Sequence, residues 1–428
     1  MYFEYSLLAF LGILTGIFIM MAFYRYFLSP VSNQPSYSPF LHSNTETPTY
    51  NPFFYSNPVS CDQLIGCEKA LRTIVGRILN RGQSSAITGS PRSGKTSMLE
   101  CLQDSEHRNT LYGDSAAQLI FSYVHIARLG KQVNEAQFWE YALKPLQDRI
   151  ANETESSLFK AYENCRQTAF DSYALEKLIE QIKQADWQLV LLLDRFDSIL
   201  LHPMLNSPAL FSHLRSLSSL SKGALTLVTT ENRSLHQLNQ DIKAWFELTS
   251  PLGNIFEEIV LGSLDDSDID KLLSQGGKYF SNDDCRFLKE MAGGHPYLLQ
   301  VAASILWNAY KNGDEQKATQ RQQQTKQECY NRVEETLNEI WLSWTDEMRE
   351  ALTYVAQLQI ETLPTPPKKR PSINEVELTN RLSELEPQLK ELKKYGFVIS
   401  DENANWRVYP SIFLHFVAEN RHYDFAKE

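Results

Sequence analysis

The sequence feature that most constrains this fold is the segment GSPRSGKT, Gly89–Thr96, which fits the pattern G-x-x-x-x-G-K-[ST] without a mismatch. The short apolar run AIT precedes it and the helix-compatible run SMLECL follows it, so the order is strand, loop and helix. In such a loop, glycines let backbone N–H groups turn inward around phosphate oxygens, and the helix N-terminus adds positive potential. The segment therefore predicts an α/β domain that holds a nucleotide.

The motif assigns chemistry to individual side chains. Lys95 is expected to reach the terminal phosphates, and the Thr96 hydroxyl is expected to ligate magnesium. We therefore predict ATP and Mg²⁺ as cofactors. The predicted nucleotide-binding residues in and beside the loop are Gly89, Ser90, Pro91, Arg92, Ser93, Gly94, Lys95, Thr96 and Ser97.

A phosphate loop of this kind needs a carboxylate on a neighbouring buried strand. Leu189–Asp194 reads LVLLLD, a continuous apolar run that ends in Asp and is typical of a central parallel strand. Asp194 is therefore predicted to hold the magnesium-bound water. The predicted metal site consists of Thr96 and Asp194.

The residue after that carboxylate departs from the usual chemistry. Many hydrolysing ATPases of this broad class place Glu there to polarise the attacking water, whereas this chain has Arg195. General-base help contributes roughly 10² to 10⁴ in rate. Unless Asp197 or Glu231 supplies the base, we expect slow ATP hydrolysis, and we predict Lys95, Asp194 and Asp197 as catalytic residues.

Other strands and helices alternate along the chain. Leu225–Thr230 reads as a buried strand, and Glu231, Asn232 and Arg233 follow its carboxyl end, where ligands bind in open α/β sheets. Arg233 is a candidate catalytic sensor of the γ-phosphate, and a solvated loop arginine is the alternative interpretation. The alternation predicts a parallel sheet covered on both faces. Further strands are predicted at 119–125 and 256–261, and helices near 134–151, 172–184 and 208–221.

The N-terminus carries an apolar segment, Tyr5–Tyr24, which reads YSLLAFLGILTGIFIMMAFY without a charge and is about as long as a bilayer-spanning helix. A cleaved signal peptide is the alternative, but the segment is preceded by Glu4 and ends in bulky residues. We predict an uncleaved single-pass anchor in a cell membrane, with a prokaryotic inner membrane expected. Arg25 alone places the body in the cytoplasm by charge, and the nucleotide site favours the same side.

Composition limits the remaining functions. The net charge of −11 and pI of about 5.4 argue against a protein that binds nucleic acid chiefly through bulk charge. The six cysteines have no close paired spacing, so the sequence suggests neither a zinc knuckle nor a disulfide framework. We expect reduced thiols and no metal site beyond the magnesium of the nucleotide.

Four segments, in this order, resemble the STAND branch of P-loop NTPases. They are the lead-in NPFFYSNPV followed by LIG, the GSPRSGKTS loop, the tetrapeptide DRFD that is similar to the family's Asp-Glu-Phe-Asp, and GGHPYLLQ at Gly293–Gln300. The resemblance implies a helical lid in which Pro296 packs on the adenine and His295 lies near the phosphates. The lead-in departs from the family, because Cys67 stands where Arg is usual.

The C-terminal part has its own pattern. The helical run from Pro387 leads through Gly396 into two short strands around Asn403, and a last helix is predicted over Ser411–Glu419. This pattern is typical of a winged helix, which the resembled family commonly carries behind its lid. The predicted fold class is therefore α/β, a P-loop NTPase parallel sheet with a helical lid and a C-terminal winged helix, preceded by one transmembrane helix. The predicted domains are an anchor at 1–28, a flexible linker at 29–60, the core at 61–262, the lid at 263–335 and the winged helix at 336–428.

These features together predict a membrane-anchored ATP-binding protein that acts as a nucleotide-controlled signalling or assembly switch. One alternative is a membrane-tethered DNA-binding regulator of the AAA+ origin-recognition type, and another is a scaffold that binds ATP without hydrolysing it. DNA binding is not favoured, because residues 364–407 carry eight basic side chains against seven acidic ones. The predicted partners are the nucleotide, the membrane and either a protein partner or a second copy of the chain.

Overall fold

A computed structural model describes residues 50–80, 82–246, 252–312, 317–361, 381–401 and 405–420. These residues belong to one compact unit, Thr45–Glu428. The predicted membrane anchor and the predicted linker up to residue 49 lie outside the described residues. Across the ranges given above, no helix is long and apolar enough to span a bilayer.

The centre of the fold is a five-stranded parallel sheet with the strand order β2-β3-β4-β1-β5. The predicted parallel α/β sheet is therefore confirmed. Every residue of β1, β3 and β4 is buried, as expected for strands in the middle of a sheet. The strands are β1 Ser84–Thr88, β2 Leu119–His125, β3 Gln188–Asp194, β4 Leu225–Glu231 and β5 Phe256–Val260.

Helices cover both faces of the sheet, which explains the unbroken apolar run in β3. Val190 and Leu192 pack in the apolar cluster that contains the helix before β1 and the helix after the loop. Leu191 and Leu193 pack in the cluster on the other face. The helices of this half are α1 Glu68–Leu79, α2 Lys95–Gln103, α3 Arg108–Tyr112, α4 Glu135–Ala142, α5 Lys144–Ile150, α6 Ser157–Gln167, α7 Ser172–Gln184, α8 Pro208–Leu220 and α9 Leu235–Phe246.

The C-terminal half is mainly helical and has one apolar core that extends from Leu264 to Val417. The predicted order of helix, glycine, antiparallel hairpin and last helix is present. The division of this half into a lid and a winged helix stays a prediction. Its elements are α10 Asp266–Ser274, α11 Asn282–Ala292, α12 Pro296–Lys311, α13 Ala318–Leu342, α14 Asp346–Glu361, α15 Glu386–Tyr395, β6 Val398–Ser400, β7 Trp406–Val408 and α16 Ser411–Asn420.

One pair of cysteines contradicts the expectation of reduced thiols. Cys61 and Cys101 form a disulfide, with Cα atoms 4.7 Å apart. A short 3-10 turn, Cys61–Gln63, folds back onto α2 and brings the two sulfurs together across a sequence separation of 40. Sequence spacing does not reveal such a pair, because the fold alone creates the proximity.

Candidate functional site

A cavity of about 340 Å³ opens at the carboxyl-terminal edge of the sheet. The segment before α1, the loop between β1 and α2, and the N-terminal end of α12 with a side chain from α13 form much of its wall. The residues that follow β3 and β4, and the region around α10, supply the remaining lining residues: Arg195, Asn232, Leu264 and Leu272. The volume lies in the range of small-molecule sites, which is about 300 to 1,000 Å³. The loop predicted to bind a nucleotide therefore borders a cavity large enough for a small molecule.

The loop between β1 and α2 has a backbone that needs its glycines. Gly94 has a φ of 100°, in the left-handed region. A side-chain carbon on Gly89 would lie 2.5 Å from the backbone oxygen of Leu261 and 2.7 Å from the Ser93 hydroxyl. The motif glycines thus allow the tight turn and the close approach of Leu261, the residue that follows β5.

Lys95 is the first residue of α2, and its side chain reaches back to the loop. Its Nζ donates hydrogen bonds to the backbone oxygens of Gly89 at 2.8 Å and Ser90 at 2.7 Å. Burial lowers the pKa of Lys95 to about 8, and the nearby Asp197 carboxylate opposes that shift. The ammonium group is therefore mainly charged at pH 7, and phosphate oxygens can replace the loop carbonyls as its acceptors.

Asp194 ends β3 directly beside Thr96, the other residue of the predicted metal site. The Thr96 hydroxyl donates to Asp194 Oδ2 at 3.0 Å. The same oxygen accepts from the Tyr123 hydroxyl at 2.7 Å, and Oδ1 accepts from the Thr230 hydroxyl at 2.5 Å. Burial by itself raises the pKa of Asp194, but these three hydrogen bonds hold the pKa below its usual value.

The donor set at this position suits magnesium. A carboxylate held in its ionised form lies next to a hydroxyl, and both supply the oxygen ligands that Mg²⁺ prefers. Thr96 and Asp194 would hold the ion together with phosphate oxygens and water. The bound ion would neutralise charge on the phosphates.

Tyr123, His125 and Thr230 belong to the site but were not predicted from the sequence. His125 Nε2 lies 3.9 Å from Asp194 Oδ2, and Tyr123 lies on the same strand, two residues earlier. All three residues lie near the carboxyl ends of β2 or β4, the strands on either side of β3. Polar side chains at the ends of these strands were a possible sequence signal for site residues. The sequence did not show that β2 and β4 lie next to β3, so the signal could not be used.

Arg195 lines the cavity, and its own backbone is in the left-handed conformation. Its φ and ψ are 55° and 48°, and its backbone N–H donates to the Thr230 hydroxyl at 2.8 Å. The guanidinium Nε lies 3.7 Å from Asp197 Oδ1, and a terminal nitrogen lies 3.9 Å from Glu339 Oε1. The residue that replaces the usual Glu is therefore part of the cavity wall.

Asp197 and Glu231, the two candidate bases, lie close to Lys95. Asp197 is mostly buried, and its Oδ2 accepts the backbone N–H of Asn232 at 3.3 Å. Glu231 is 1% exposed, and burial raises its pKa to about 8. Asn232 lines the cavity at the end of β4, although the sequence indicated it only as part of a polar cluster.

The structure does not bring Arg233 into the cavity wall. Its guanidinium donates to the carboxylate of Asp241 on α9 at 2.9 Å, and its side chain is 46% exposed. The γ-phosphate sensor role of Arg233 stays a prediction without support from this geometry.

The GGHPYLLQ segment packs against the phosphate loop. Its His295 lies within hydrogen-bond distance of the Ser90 hydroxyl, with 3.0 Å between Nε2 and Oγ. Burial lowers the pKa of His295 to about 4, so the imidazole is neutral at pH 7. Pro296 and Tyr297 line the cavity, and the Arg92 guanidinium lies 4.6 Å from the centre of the Tyr297 ring. His295 therefore supports the loop, and Pro296 is placed to contact a ligand.

The lead-in segment also contacts the folded unit. The Asn51 side chain donates to Ser304 Oγ at 2.9 Å and to Asn308 Oδ1 at 3.0 Å on α12. The Val59 backbone N–H donates to the Ser97 hydroxyl at 3.1 Å, close to the start of α2. Residues 54–59, which were predicted to belong to a flexible linker, form part of the cavity wall instead.

Several solved structures resemble this chain at low sequence identity. The Walker-type ATPase PABY2304 of Pyrococcus abyssi is 14% identical, with a TM-score of 0.49, over 84% of this chain and 97% of that chain. The ORC2 protein of Aeropyrum pernix, in ADPNP-ADP complexes, is 13% identical, with a TM-score of 0.49, over 85% and 95%. Drosophila ORC bound to DNA is 12% identical, with a TM-score of 0.43, over 91% and 96%.

Sequence comparison gives one family match. No curated protein matches the sequence significantly. The sequence-family model described as AAA-like domain matches residues 59–363. That range includes the five strands of the sheet, the phosphate loop and the helices up to α14.

Proposed function

The chain belongs to the AAA-like domain family, and on that premise we propose that it is an ATP-binding switch of the STAND type that hydrolyses ATP slowly. The observation that carries the proposal is that Lys95 and Thr96 line one end of the cavity, and that the Asp194 carboxylate accepts the Thr96 hydroxyl there. A buried ammonium group, a hydroxyl and an ionised carboxylate are the groups that bind Mg²⁺ and the terminal phosphates of ATP.

Slow hydrolysis follows from the groups around the phosphate end. Arg195 stands where a general base is usual, and an arginine cannot accept a proton at neutral pH. Glu231 is a poor replacement, because its pKa of about 8 keeps most of it protonated at pH 7. Asp197 is the remaining candidate base, with its Oδ2 accepting a backbone hydrogen bond.

The switch part of the proposal rests on which elements share the cavity. Core residues such as Thr96 lie on one side, and Pro296 of α12 and Glu339 of α13 lie on the other. ATP would therefore contact both halves, and it can shift their equilibrium by its difference in affinity for two arrangements. The closed and open arrangements would present different surfaces to a protein partner or a second copy of the chain.

The membrane part of the proposal rests on sequence alone. The uncharged segment Tyr5–Tyr24 supports a single-pass anchor, and the nucleotide site supports a cytoplasmic position for the body. The protein would then act at the inner face of a prokaryotic cell membrane.

One experiment tests both hydrolysis and switching. The full chain in detergent is mixed with Mg-ATP for single-turnover hydrolysis, and backbone hydrogen exchange is compared between Mg-ATP and Mg-ADP. We expect turnover much slower than the 1 s⁻¹ at the low end of typical enzymes, and slower exchange in α12 and α13 with ATP. Fast turnover or identical exchange with the two nucleotides would contradict the proposal.

A further inference from the structure

We propose that Arg195 binds the terminal phosphate of ATP and makes the site prefer ATP to ADP. This inference rests on the proposed function, because it requires that the cavity binds a nucleotide through Lys95 and Thr96. It assigns the residue that replaces the usual Glu a positive role in binding. The replacement of the usual Glu by Arg195 then adds a phosphate contact as well as removing a base.

The position of Arg195 puts its guanidinium at the phosphate end of the cavity. It directly follows Asp194, whose carboxylate accepts the Thr96 hydroxyl that marks the predicted magnesium position. Its left-handed backbone is fixed by the hydrogen bond from its N–H to Thr230. The side chain lines the same cavity as Lys95 and is about one third exposed.

The guanidinium has hydrogen-bonding capacity that its neighbours do not use. Its buried Nε has no hydrogen-bond partner among the described residues. The carboxylates of Asp197 and Glu339 lie 3.7 Å and 3.9 Å from its nitrogens, beyond normal hydrogen-bond distance. A buried donor without an acceptor is unfavourable, and a phosphate in the cavity would supply acceptors.

Guanidinium geometry matches the ligand. The planar fork of an arginine can donate two parallel hydrogen bonds to a phosphate, which a lysine cannot do in the same way. The β-phosphate is common to ATP and ADP, whereas only ATP brings the γ-phosphate and its charge. A contact between Arg195 and the γ-phosphate therefore raises affinity for ATP and leaves affinity for ADP nearly unchanged.

Glu339 competes for the same guanidinium. Its carboxylate comes from α13, lines the cavity and lies 3.9 Å from a terminal nitrogen of Arg195. When Arg195 turns to the γ-phosphate, its attraction to Glu339 weakens. Replacing Glu339 by a neutral isostere should therefore strengthen ATP binding.

The test compares affinities for Mg-AMPPNP, a non-hydrolysed ATP analogue, and Mg-ADP in the full chain by calorimetry. In Arg195→Gln we expect the preference for the triphosphate to fall about tenfold to a hundredfold, which is the effect of lost hydrogen bonds between charged groups. ADP affinity should stay within about twofold. Glu339→Gln should raise the preference, and the exposed Arg286→Gln is the matched control.

Arg195→Asn provides a second variant, since Asn tolerates a positive φ and protects the test against a misfolded glutamine variant. An unchanged ratio of the two affinities in both Arg195 variants would overturn the inference alone, if the wild-type chain binds the analogue and Lys95→Ala does not. Absence of nucleotide binding in the wild-type chain would overturn the proposed function and this inference together.

Discussion

Arg195 follows Asp194, the carboxylate proposed to hold magnesium, and lines the cavity beside Asp197. We predict that Arg195→Glu raises the single-turnover rate of ATP hydrolysis at saturating ATP by at least about tenfold, because it restores a carboxylate that can polarise water. The rate is measured by rapid-quench of bound ATP. Arg195→Gln removes the cation without adding a base and serves as the control. Equal rates in the two variants would contradict the explanation of slow hydrolysis.

His295 carries a second prediction at the residue scale, concerning pH. Burial lowers its pKa to about 4, below the unfolded value of 6.5. Between these values the unfolded chain binds a proton that the folded chain does not, so the free energy of unfolding falls as pH decreases from about 6.5 to 4. The full effect is on the order of 3 kcal/mol. It is absent above that window.

Urea unfolding of the wild-type chain and His295→Gln at pH 7, 6 and 5 checks this prediction. Glutamine can keep a hydrogen bond to the Ser90 hydroxyl, but it does not titrate. The difference in unfolding free energy between the two proteins should change with pH in favour of the variant as pH falls. A difference that is the same at all three pH values would contradict the buried neutral imidazole.

At the scale of elements, the start of α12 packs closely against the segment between β5 and α10. The Leu264 N–H donates to the Gly294 oxygen at 2.8 Å, and a side-chain carbon on Gly294 would overlap Ser263 and the Leu264 backbone. We predict that Gly294→Ala lowers the free energy of unfolding by about 1 to 3 kcal/mol and weakens ATP binding, because Pro296 moves. Denaturant unfolding and calorimetry measure the two effects.

Gly76→Ala is the matched control for this substitution. Gly76 lies inside α1, and a side-chain carbon there would meet no atom within 4 Å. Because alanine favours a helix over glycine, this change should stabilise the protein by up to about 1 kcal/mol. If Gly294→Ala did not lower the free energy of unfolding either, the close contact of Gly294 with Ser263 and Leu264 would be contradicted.

The disulfide connects the lead-in turn to α2 and gives another prediction at this scale. Under denaturing conditions without reductant, four of the six thiols should react with a thiol reagent, since Cys67, Cys165, Cys285 and Cys329 are free. Closing a loop of this length contributes roughly 3 to 4 kcal/mol to stability in the chain-entropy description. Cys61→Ser should therefore destabilise the oxidised chain, and Cys285→Ser should not. Six reactive thiols would contradict the bond.

At the scale of the whole molecule, the elements and site residues that could be predicted from the sequence are those with a recognisable local sequence pattern. The LVLLLD run predicted β3 because both faces of the strand are covered, so it has no polar alternation. The GSPRSGKT pattern predicted the loop because its backbone geometry requires glycine at set positions. The carboxylate at Asp194 followed from these two features together.

The parts that the sequence could not predict depend on long-range pairing. The contact between Tyr123 and Asp194 exists because β2 pairs with β3, and no local pattern gives that order. The disulfide depends on how the lead-in folds back onto α2. The placement of Arg233 against Asp241 depends on the direction of α9, so its position after a strand was not enough to assign a role.

The central claim is that this cavity binds ATP through the phosphate loop and Mg²⁺, and equilibrium binding of ATP to the full chain tests it most directly. The account predicts saturable binding with Mg²⁺ that weakens at least about tenfold in Lys95→Ala, where hydrogen bonds from a charged donor are lost. The exposed Lys131→Ala should bind like the wild-type chain. No binding, or equal binding by Lys95→Ala, would contradict the account.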